Sequence, residues 1–275
     1  MADLEFRRDL YQGTARYYDR FRVPYPPSLI EDLARRAGAG GAGAAGKARL
    51  LDLACGTGQL AFPLCGYFAE VWAVDQEPGM IEVVTEKMRA AGIGNIRPLA
   101  ASAEGLNLPE GSFDLVVMGN AFHRVCRETV AANVHRWLRP GGLLALVWSR
   151  GPSDGGQPWQ RVLSATMARW QKRARAQARV PSGYEADRIQ RPDGAVLRDA
   201  GFELAGYNEF PVTHEWVPET LTGYLFSTSL LSPVALGDLA PGFEHDLRRE
   251  LLSCEPSGRF EQVIDFAYEL ARRPG

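Results

Sequence analysis

Hydrophobic residues gather in short runs between residues 49 and 148, and longer mixed segments separate the runs. Runs this short, bounded by glycine, proline and polar residues, are typical of buried strands. The segments between them space apolar residues three and four positions apart, as in PGMIEVVTEKMRAAG, and predict amphipathic helices. The predicted strands are RLLDLA (49–54), EVWAVD (70–75), NIRPLA, FDLVVM (113–118) and LLALVW (143–148).

The pattern outside this stretch adds two more strands and several helices. FELAGYNEFPV and FEQVIDFAYELA read as strands, with helical segments near 217–231 and 241–252. Residues 1–36 read as helical with a break at RVPYPP, residues 57–66 read as a helix, and RPGG ends the helix that carries Val130, Val134 and Leu138. Strands that alternate with helices predict an α/β fold, here a doubly wound, mostly parallel seven-stranded sheet with helices on both faces.

The rhythm of the chain divides this single domain into four parts. Residues 1–47 form a helical lead-in that ends in the Gly/Ala linker AGAGGAGAAG, and residues 48–149 form a nucleotide-binding core. The alternation stops over 150–194, which we interpret as a helical cap inserted into the fold. Residues 195–275 complete the sheet and add further helices.

Composition excludes several classes of function. The chain has 275 residues, a formal net charge of -2 and four cysteines without a C-x-x-C pair. The near-neutral charge gives no attraction to nucleic acid, and the cysteine pattern indicates no zinc or iron–sulfur site. No apolar run is long enough to cross a membrane, and the charged N-terminus lacks a signal peptide. These features predict a cytoplasmic protein with no bound metal and no nucleic-acid or membrane partner.

The loop after the first strand has the composition of a nucleotide cradle. Gly56, Gly58 and Ala61 match G-x-G-x-x-A, and Asp75 ends the second strand. In open α/β sheets, ligands bind at the carboxyl ends of the strands. These features suit NAD and S-adenosylmethionine equally.

Asp52 separates the two nucleotides. It stands at the exit of the first strand, where a carboxylate would repel the pyrophosphate of NAD. The ammonium and sulfonium of S-adenosylmethionine would instead be attracted, by roughly 4 kcal/mol at about 4 Å and an effective dielectric near 20. The sequence therefore favours S-adenosylmethionine as the cofactor.

Several segments together resemble class I S-adenosylmethionine-dependent methyltransferases, in the branch that acts mostly on small molecules. The matching segments are LLDLACGTGQLA, VWAVDQEPGMI, ASAEGLNLPEGSFDLVV, NAFHRV and LRPGGLLALVW. The resemblance implies a Rossmann-like fold and a set of cofactor contacts. In chain order these are Asp52 with the methionine amino group, the backbone of Ala54, Gly56 and Gly58 along the cofactor, Asp75 with both ribose hydroxyls, Gln76 and Met80 beside the adenine, Ala103 and Glu104 at its edge, and Asn120 near the methyl group.

The chain departs from the family pattern at two positions. Ala54 stands where the widest pattern has glycine, which fits if the φ angle of Ala54 is negative. Arg124 follows His123, where related sequences often continue with an aromatic residue. The second departure falls on the wall expected to face the substrate.

His123 is the candidate catalytic residue, because it follows the fourth strand near the expected methyl position. It is either a general base or a polar wall of the acceptor pocket, or else a helix-start residue bonded to its own backbone. A base with the ordinary histidine pKa would lose activity as the pH falls through about 6.5. We interpret His135 and His214 as structural and His245 as exposed without a role.

Two further segments carry open alternatives. Near the N-terminus, Tyr17, Tyr18 and Tyr25 either fold over the cofactor or pack on the domain, and Arg22 could pair with the cofactor's carboxylate. From 161 to 179 the cap has six basic residues and no acid. This is a solvated helix face, a lid over an acidic substrate or a partner contact. The pocket-lining candidates of the cap, each equally suited to the core, are Trp159, Trp170 and Tyr184.

The leading hypothesis is methyl transfer to an oxygen, nitrogen or carbon nucleophile of a small-molecule acceptor, by a monomer or homodimer. The alternatives are an RNA or protein methyltransferase, an NAD(P)-dependent oxidoreductase, and a cofactor-binding protein without methyl transfer. Asp52 argues against the oxidoreductase. The near-neutral charge argues against a nucleic-acid substrate.

Overall fold

The computed structural model describes residues 6–39 and 47–275, so most of the predicted Gly/Ala linker lies outside the described residues. Its seven strands form one sheet in the order β3-β2-β1-β4-β5-β7-β6. The first five strands run parallel, and β7 is antiparallel to both of its neighbours. This confirms the mostly parallel seven-stranded sheet. The strands are β1 (Arg49–Leu53), β2 (Glu70–Asp75), β3 (Ile96–Ala100), β4 (Phe113–Gly119), β5 (Leu138–Ser149), β6 (Glu203–Trp216) and β7 (Phe260–Arg272).

Helices precede, connect and follow these strands, as the apolar spacing predicts. Those of the lead-in and the core are α1 (Ala15–Phe21), α2 (Pro27–Arg36), α3 (Ala61–Leu64), α4 (Pro78–Ala91) and α5 (Arg127–Trp137). Those after β5 are α6 (Pro158–Arg173), α7 (Tyr184–Gln190), α8 (Asp193–Asp199), α9 (Pro218–Phe226), α10 (Pro233–Leu236) and α11 (Ala240–Cys254). None of the helices in the described ranges has the length and apolar character needed to cross a bilayer.

The two faces of the sheet bury separate hydrophobic layers, because neighbouring residues of a strand point to opposite sides. Leu50 of β1 belongs to the layer covered by α2 and α3, whereas Leu51 belongs to the layer covered by α5 and α8. Both leucines are fully buried. A strand covered on both faces carries its ligand-binding groups at its end, which places the site at the carboxyl edge.

Two predicted helix boundaries are wrong for local reasons. The helix predicted over 57–66 begins only at Ala61, because the preceding turn holds Gly56 and Gly58 at φ angles of 54° and 82°, outside the helical range. The helix predicted to end at RPGG ends at Trp137. Leu138 already pairs with Phe113 in the sheet, so RPGG lies within β5. In the lead-in, the described residues before Ala15 form turns rather than a helix.

The elements outside the nucleotide-binding core close over one end of the sheet. Helix α1 is tied to α4 by Arg16–Glu86 at 2.6 Å and Asp19–Lys87 at 2.7 Å. It also packs on α9, where Phe21 touches the backbone of Gly223 so closely that no side chain fits there. Helices α6 and α11 pack together farther along the same end. They share the hydrophobic layer that continues into the sheet.

Candidate functional site

A cavity of about 920 Å³ lies at the carboxyl ends of β1, β2 and β4. Its volume is at the large end of the range of about 300–1,000 Å³ that ligand pockets show. The loops after these strands form its floor, and residues before and within α1 and after α9 form its other walls. Of the predicted site residues, those that line it are Arg22, Ala54, Gly56, Asp75, Gln76, Met80, Ala103, Glu104, Asn120 and His123.

The loop after β1 is a tight turn that brings backbone to the cavity surface. Gly56 lines the cavity, and a side chain there would approach the ring of Tyr18 to 3.1 Å. Ala54 has a φ angle of 57°, so the expectation of a negative φ is wrong. The turn requires a left-handed residue at this position, and alanine adopts that conformation only at a steric cost of about 1–2 kcal/mol.

Asp75 presents a fixed carboxylate to the cavity. Its Oδ2 accepts a hydrogen bond from the Gly56 amide at 2.8 Å, and its Oδ1 accepts one from the Glu77 amide at 2.9 Å. Burial raises the pKa of Asp75, while the two amide hydrogen bonds act in the opposite direction. Each carboxylate oxygen can accept more than one hydrogen bond, so the group retains capacity for ligand hydroxyls.

Asp52 and Gly58 do not line the cavity. The Asp52 carboxylate is buried, and its Oδ2 accepts a hydrogen bond from the Ala61 amide at 2.9 Å, at the first residue of α3. Burial raises its pKa to about 8. Asp52 therefore fastens the turn to the helix, and the predicted contact of its carboxylate with the amino group of the cofactor stays a prediction. Gly58 is needed for the turn itself, because a side chain there would lie 2.7 Å from the Phe62 ring.

The turn after β3 supplies the wall predicted for the adenine. Ala103 is buried, and Glu104 lies beside it in the cavity wall. Glu104 Oε1 accepts a hydrogen bond from the Cys126 amide at 3.0 Å, directly before α5. The carboxylate thus joins this turn to the segment after β4.

Asn120 connects the ends of β4 and β5. Its φ angle is 52°, a left-handed conformation that asparagine tolerates better than most residues. Its Nδ2 donates to Tyr25 Oη at 3.3 Å and to Ser149 Oγ at 3.4 Å, and its Oδ1 accepts from the Ser149 amide at 3.3 Å. The side chain is therefore held at the cavity rim between two strands.

Arg22 brings a cation to the cavity from the end of α1. Its guanidinium carbon lies 4.6 Å from the ring centres of both Tyr18 and Tyr224, and its Nε donates to Ser227 Oγ at 2.8 Å. Among the described residues, no carboxylate forms an ion pair with it. A positioned guanidinium without a carboxylate can take the anionic group of a ligand.

The aromatic residues of the lead-in divide between site and core. Tyr18 lines the large cavity. Tyr17 packs edge-to-face on Phe226 at 5.2 Å, and Tyr25 packs on Phe266 at 5.7 Å. Tyr17 and Tyr25 thus pack on the domain, whereas for Tyr18 the contact with the cofactor stays a prediction.

His123 lines the cavity in a short 3-10 turn, Phe122–Arg124, after β4. Burial lowers its pKa to about 3, and the positive charges of Arg124, Arg188 and Arg127 act in the same direction. The imidazole is therefore neutral at neutral pH and is a weak base, since a general base works best with a pKa near the working pH. The expected titration near pH 6.5 is wrong for this environment.

The other three histidines lie outside the cavity wall. The His135 ring packs edge-to-face on Phe202 at 5.0 Å, and the His214 ring packs on Trp216 at 4.3 Å. Both contacts agree with structural roles. His245 is exposed.

The cap contributes to the cavity through uncharged residues rather than its basic side chains. Arg169 pairs with Asp246 of α11 at 2.6 Å, and Trp159 and Trp170 are buried in the core. Of the three aromatic candidates, only Tyr184 lines the cavity, and it is joined there by Met167, Gln171 and Gln177. The basic segment is thus a packed and solvated helix face.

Sequence analysis missed lining residues that come from the start of the lead-in and from the segment after α9. Examples are Phe6, Arg8, Tyr11, Thr228, Ser229 and Leu230. They lie in turns and loops, where no periodicity marks them. The described parts of the chain contain no group of three or more His, Cys, Asp or Glu side chains placed to hold a metal.

Known proteins that are similar to this chain include methyltransferases. The family model described as a methyltransferase domain matches residues 50–142. An uncharacterised methyltransferase of Mycobacterium tuberculosis is 34% identical over 166 residues, or 59% of this chain and 62% of the relative, so the chain spans about three fifths of that relative's length. A ubiquinone/menaquinone biosynthesis C-methyltransferase of Shewanella piezotolerans is 32% identical over 60% of this chain and 70% of its own length.

A solved structure shows the same fold. It is a structure from Anaeromyxobacter dehalogenans that is described as a type II methyltransferase. It superimposes with a TM-score of 0.61 at 20% identity, and the match covers 92% of this chain and 97% of that one. The strand order, the glycine-bearing loop after β1 and the sequence relatives lead to one assignment: the chain belongs to the class I S-adenosylmethionine-dependent methyltransferases.

Proposed function

We propose that this enzyme binds S-adenosylmethionine in the cavity and transfers its methyl group to an oxygen, nitrogen or carbon nucleophile of a small-molecule acceptor. One observation carries the proposal. A single cavity of about 920 Å³ presents both the fixed carboxylate of Asp75 and the guanidinium of Arg22. The similarity to a C-methyltransferase of quinone biosynthesis supports an acceptor of small size.

The residues present fit the chemistry of this cofactor. S-adenosylmethionine has a ribose diol, a carboxylate and a flat adenine, and the cavity has a matching group for each. Asp75 accepts hydrogen bonds from hydroxyls, Arg22 attracts a carboxylate, and the buried Met80 offers an apolar surface. Gln76, Ala103 and Glu104 complete the wall proposed for the adenine.

Bound S-adenosylmethionine supplies an electrophilic methyl group on a sulfonium, which loses its positive charge as the new bond forms. The protein orients the two reactants and excludes water. Tyr18 and Arg22 hold the roof of the cavity, and Asn120 fixes the rim between β4 and β5. His123 is neutral, so its imidazole can form a hydrogen bond with a methyl acceptor that is already nucleophilic, either as donor or as acceptor.

The position of the cavity favours a small acceptor over RNA or protein. The cap segments lie over it, and the net charge of -2 gives no field for a nucleic acid. An acceptor panel should therefore give transfer to small molecules and none to RNA or protein. We keep a cytoplasmic location and a monomeric or homodimeric state as parts of the same proposal.

Thermal stability in the presence of S-adenosylhomocysteine tests cofactor binding. A ligand at about a hundred times its Kd should stabilise the native state by roughly 2.7 kcal/mol, and NAD at the same concentration should give no shift. The Asp75→Asn variant should lose most of the shift. Asp238→Asn, which removes an exposed carboxylate outside the cavity, should keep it. Stabilisation by NAD alone would overturn the assignment of the cavity.

Incubation with labelled S-adenosylmethionine tests transfer. The acceptors are panels of phenols, carboxylic acids and amines, with RNA and unfolded protein as macromolecular alternatives. Label in a small-molecule product supports the proposal. Label only in RNA or protein would refute the acceptor class while leaving the methyltransferase assignment intact.

A further inference from the structure

Arg124 adds a second cation to the cavity, at the segment that follows β4. It lines the cavity beside His123. Its guanidinium carbon lies 5.0 Å from the ring centre of Tyr184 and 5.8 Å from that of Phe6. The two rings meet edge-to-face at 5.9 Å. An aromatic corner formed by Phe6 of the lead-in and Tyr184 of the cap thus packs against the cation.

Part of the hydrogen-bonding capacity of this guanidinium is not used by the residues that the structure describes. Its Nε and Nη1 are buried and have no hydrogen-bond partner among them. The rings attract the cation through their π faces but do not replace hydrogen-bond acceptors of ordinary strength. Among the side chains that the structure describes, which do not include that of Glu185, no carboxylate forms an ion pair with Arg124. Buried polar atoms of this kind normally have a partner. Because Arg124 also lines the cavity, a bound ligand is one source of a partner for its guanidinium.

Two nearby arginines differ from Arg124 because carboxylates pair with them. Arg127, three residues away, pairs with Asp187 and Asp193 at 2.7 Å each. Arg191 pairs with Glu128 and Asp199, also at 2.7 Å. These two arginines form ion pairs within the protein, whereas Arg124 forms part of the cavity wall.

The surroundings of Arg124 favour a negative ligand. Arg8 also lines the cavity and is exposed to it. The neighbouring imidazole of His123 is neutral, since burial and then the charge of Arg124 lower its pKa. His123 therefore adds a hydrogen-bonding group without a second charge. If Arg22 and Asp75 bind the cofactor, the part of the cavity around Arg124 is free to bind the methyl acceptor.

We propose that Arg124 is a specificity-determining residue that binds a carboxylate of the methyl acceptor, so that the acceptor is an organic acid with an unsaturated or aromatic body beside Phe6 and Tyr184. This inference rests on the proposed function, because it assigns the rest of the same cavity. A carboxylate forms charge-assisted hydrogen bonds with a guanidinium, and flat apolar groups match the two rings. The chain places arginine where the family often has an aromatic residue, so the charge is a feature of this enzyme's own acceptor.

Matched pairs of probes that differ only in charge test the proposal. We would use 4-hydroxybenzoate with 4-hydroxybenzamide, and cinnamate with cinnamamide, on the protein saturated with S-adenosylhomocysteine. Affinities are measured by calorimetry and by ligand-observed magnetic resonance. The acids should bind the wild type on the order of 10- to 100-fold more tightly than their amides, the range of a charge-assisted hydrogen bond.

Variants of Arg124 test whether this residue causes the preference for acids over amides. Arg124→Gln should abolish the acid preference, and Arg124→Lys should retain part of it, because lysine keeps the charge without the planar fork. The control is Arg188→Gln, which removes an exposed arginine near His123 that does not line the cavity, and it should keep the full preference. Equal affinity of acid and amide for the wild type, no binding of either, or a preference that persists in Arg124→Gln would each overturn the proposal.

Stabilisation by S-adenosylhomocysteine separates this proposal from the proposed function. The wild type and Arg124→Gln should show the same rise in melting temperature with that ligand. If the rise is present and the acid preference is absent, only the assignment of the acceptor fails. If the rise is absent from the wild type, the cofactor assignment itself fails.

Discussion

Replacing His123 by glutamine should change how stability depends on pH. The imidazole has a pKa of about 3 in the folded protein, because burial and three nearby arginines disfavour its charged form. In the unfolded chain its pKa is about 6.5. Between these values the unfolded chain binds a proton that the folded chain does not bind. Stability therefore falls as the pH drops below about 6.5.

The size of the effect follows from the difference between the pKa values. At pH 5 the unfolded imidazole is about 1.5 pH units below its pKa and the folded one is neutral, which corresponds to roughly 2 kcal/mol. At pH 8 both forms are neutral and the contribution vanishes. The wild type should therefore lose about 2 kcal/mol through this residue between pH 8 and pH 5. Glutamine has no such loss.

Urea unfolding of the wild type and His123→Gln at pH 8, 6.5 and 5 measures this difference. Other titrating groups are common to both proteins and cancel in the comparison. The variant should gain about 2 kcal/mol relative to the wild type between pH 8 and pH 5. Parallel stability curves would refute the idea that the imidazole is kept neutral. Once an acceptor is known, the pH–rate profiles of the wild type and of His123→Gln should coincide around pH 6.5, because the imidazole does not titrate there.

Three further predictions concern the loop after β1 and the cofactor groups. Ala54→Gly should be neutral or stabilising by up to about 1 kcal/mol, since it relieves a left-handed alanine. The control is Ala168→Gly in the exposed face of α6, which should lower the free energy of unfolding by about 1 kcal/mol. Equal losses for the two variants in urea unfolding would contradict the strain at Ala54. Asp75→Asn should weaken S-adenosylhomocysteine binding by about 1.5–3 kcal/mol in calorimetry, and an unchanged Kd removes Asp75 from the site. Arg22→Met should weaken S-adenosylhomocysteine but not methylthioadenosine, which lacks the carboxylate; equal weakening of both would mean that Arg22 acts only on the cavity's shape.

The nucleotide-binding core was predictable because its signals are local. Each strand is a short apolar run, and the loop after β1 is marked by its glycines. The place of β7 between β5 and β6 could not be predicted, since strand pairing over such a distance leaves no periodicity in the sequence. The φ angle of Ala54 was also hidden, because the turn and not the residue type sets it.

Residues at the ends of strands could be predicted to line the cavity, whereas lining residues in the turns of the lead-in and after α9 could not. Asp75 ends β2, Asn120 follows β4, and both line the cavity. Asp52 lies within a strand that is buried on both faces, so alternation could not tell whether its carboxylate points to the cavity or to α3. Arg124 was noticed only as a departure from the family, and its charge gained meaning from the rings that surround it.

The insertion of β7 between β5 and β6 sets an order for the completion of the sheet during synthesis. Residues 203–216 have no neighbour in the sheet until residues 260–272 have been made and have paired with both strands. At about 5–20 residues per second, the 56 residues from 217 to 272 take roughly 3–11 s. During that time β6 is an unpaired strand on the ribosome and β5 has one open edge. Slow translation or a stall in this stretch should therefore expose the nascent chain to strand-mediated aggregation, even though the nucleotide-binding half is already complete.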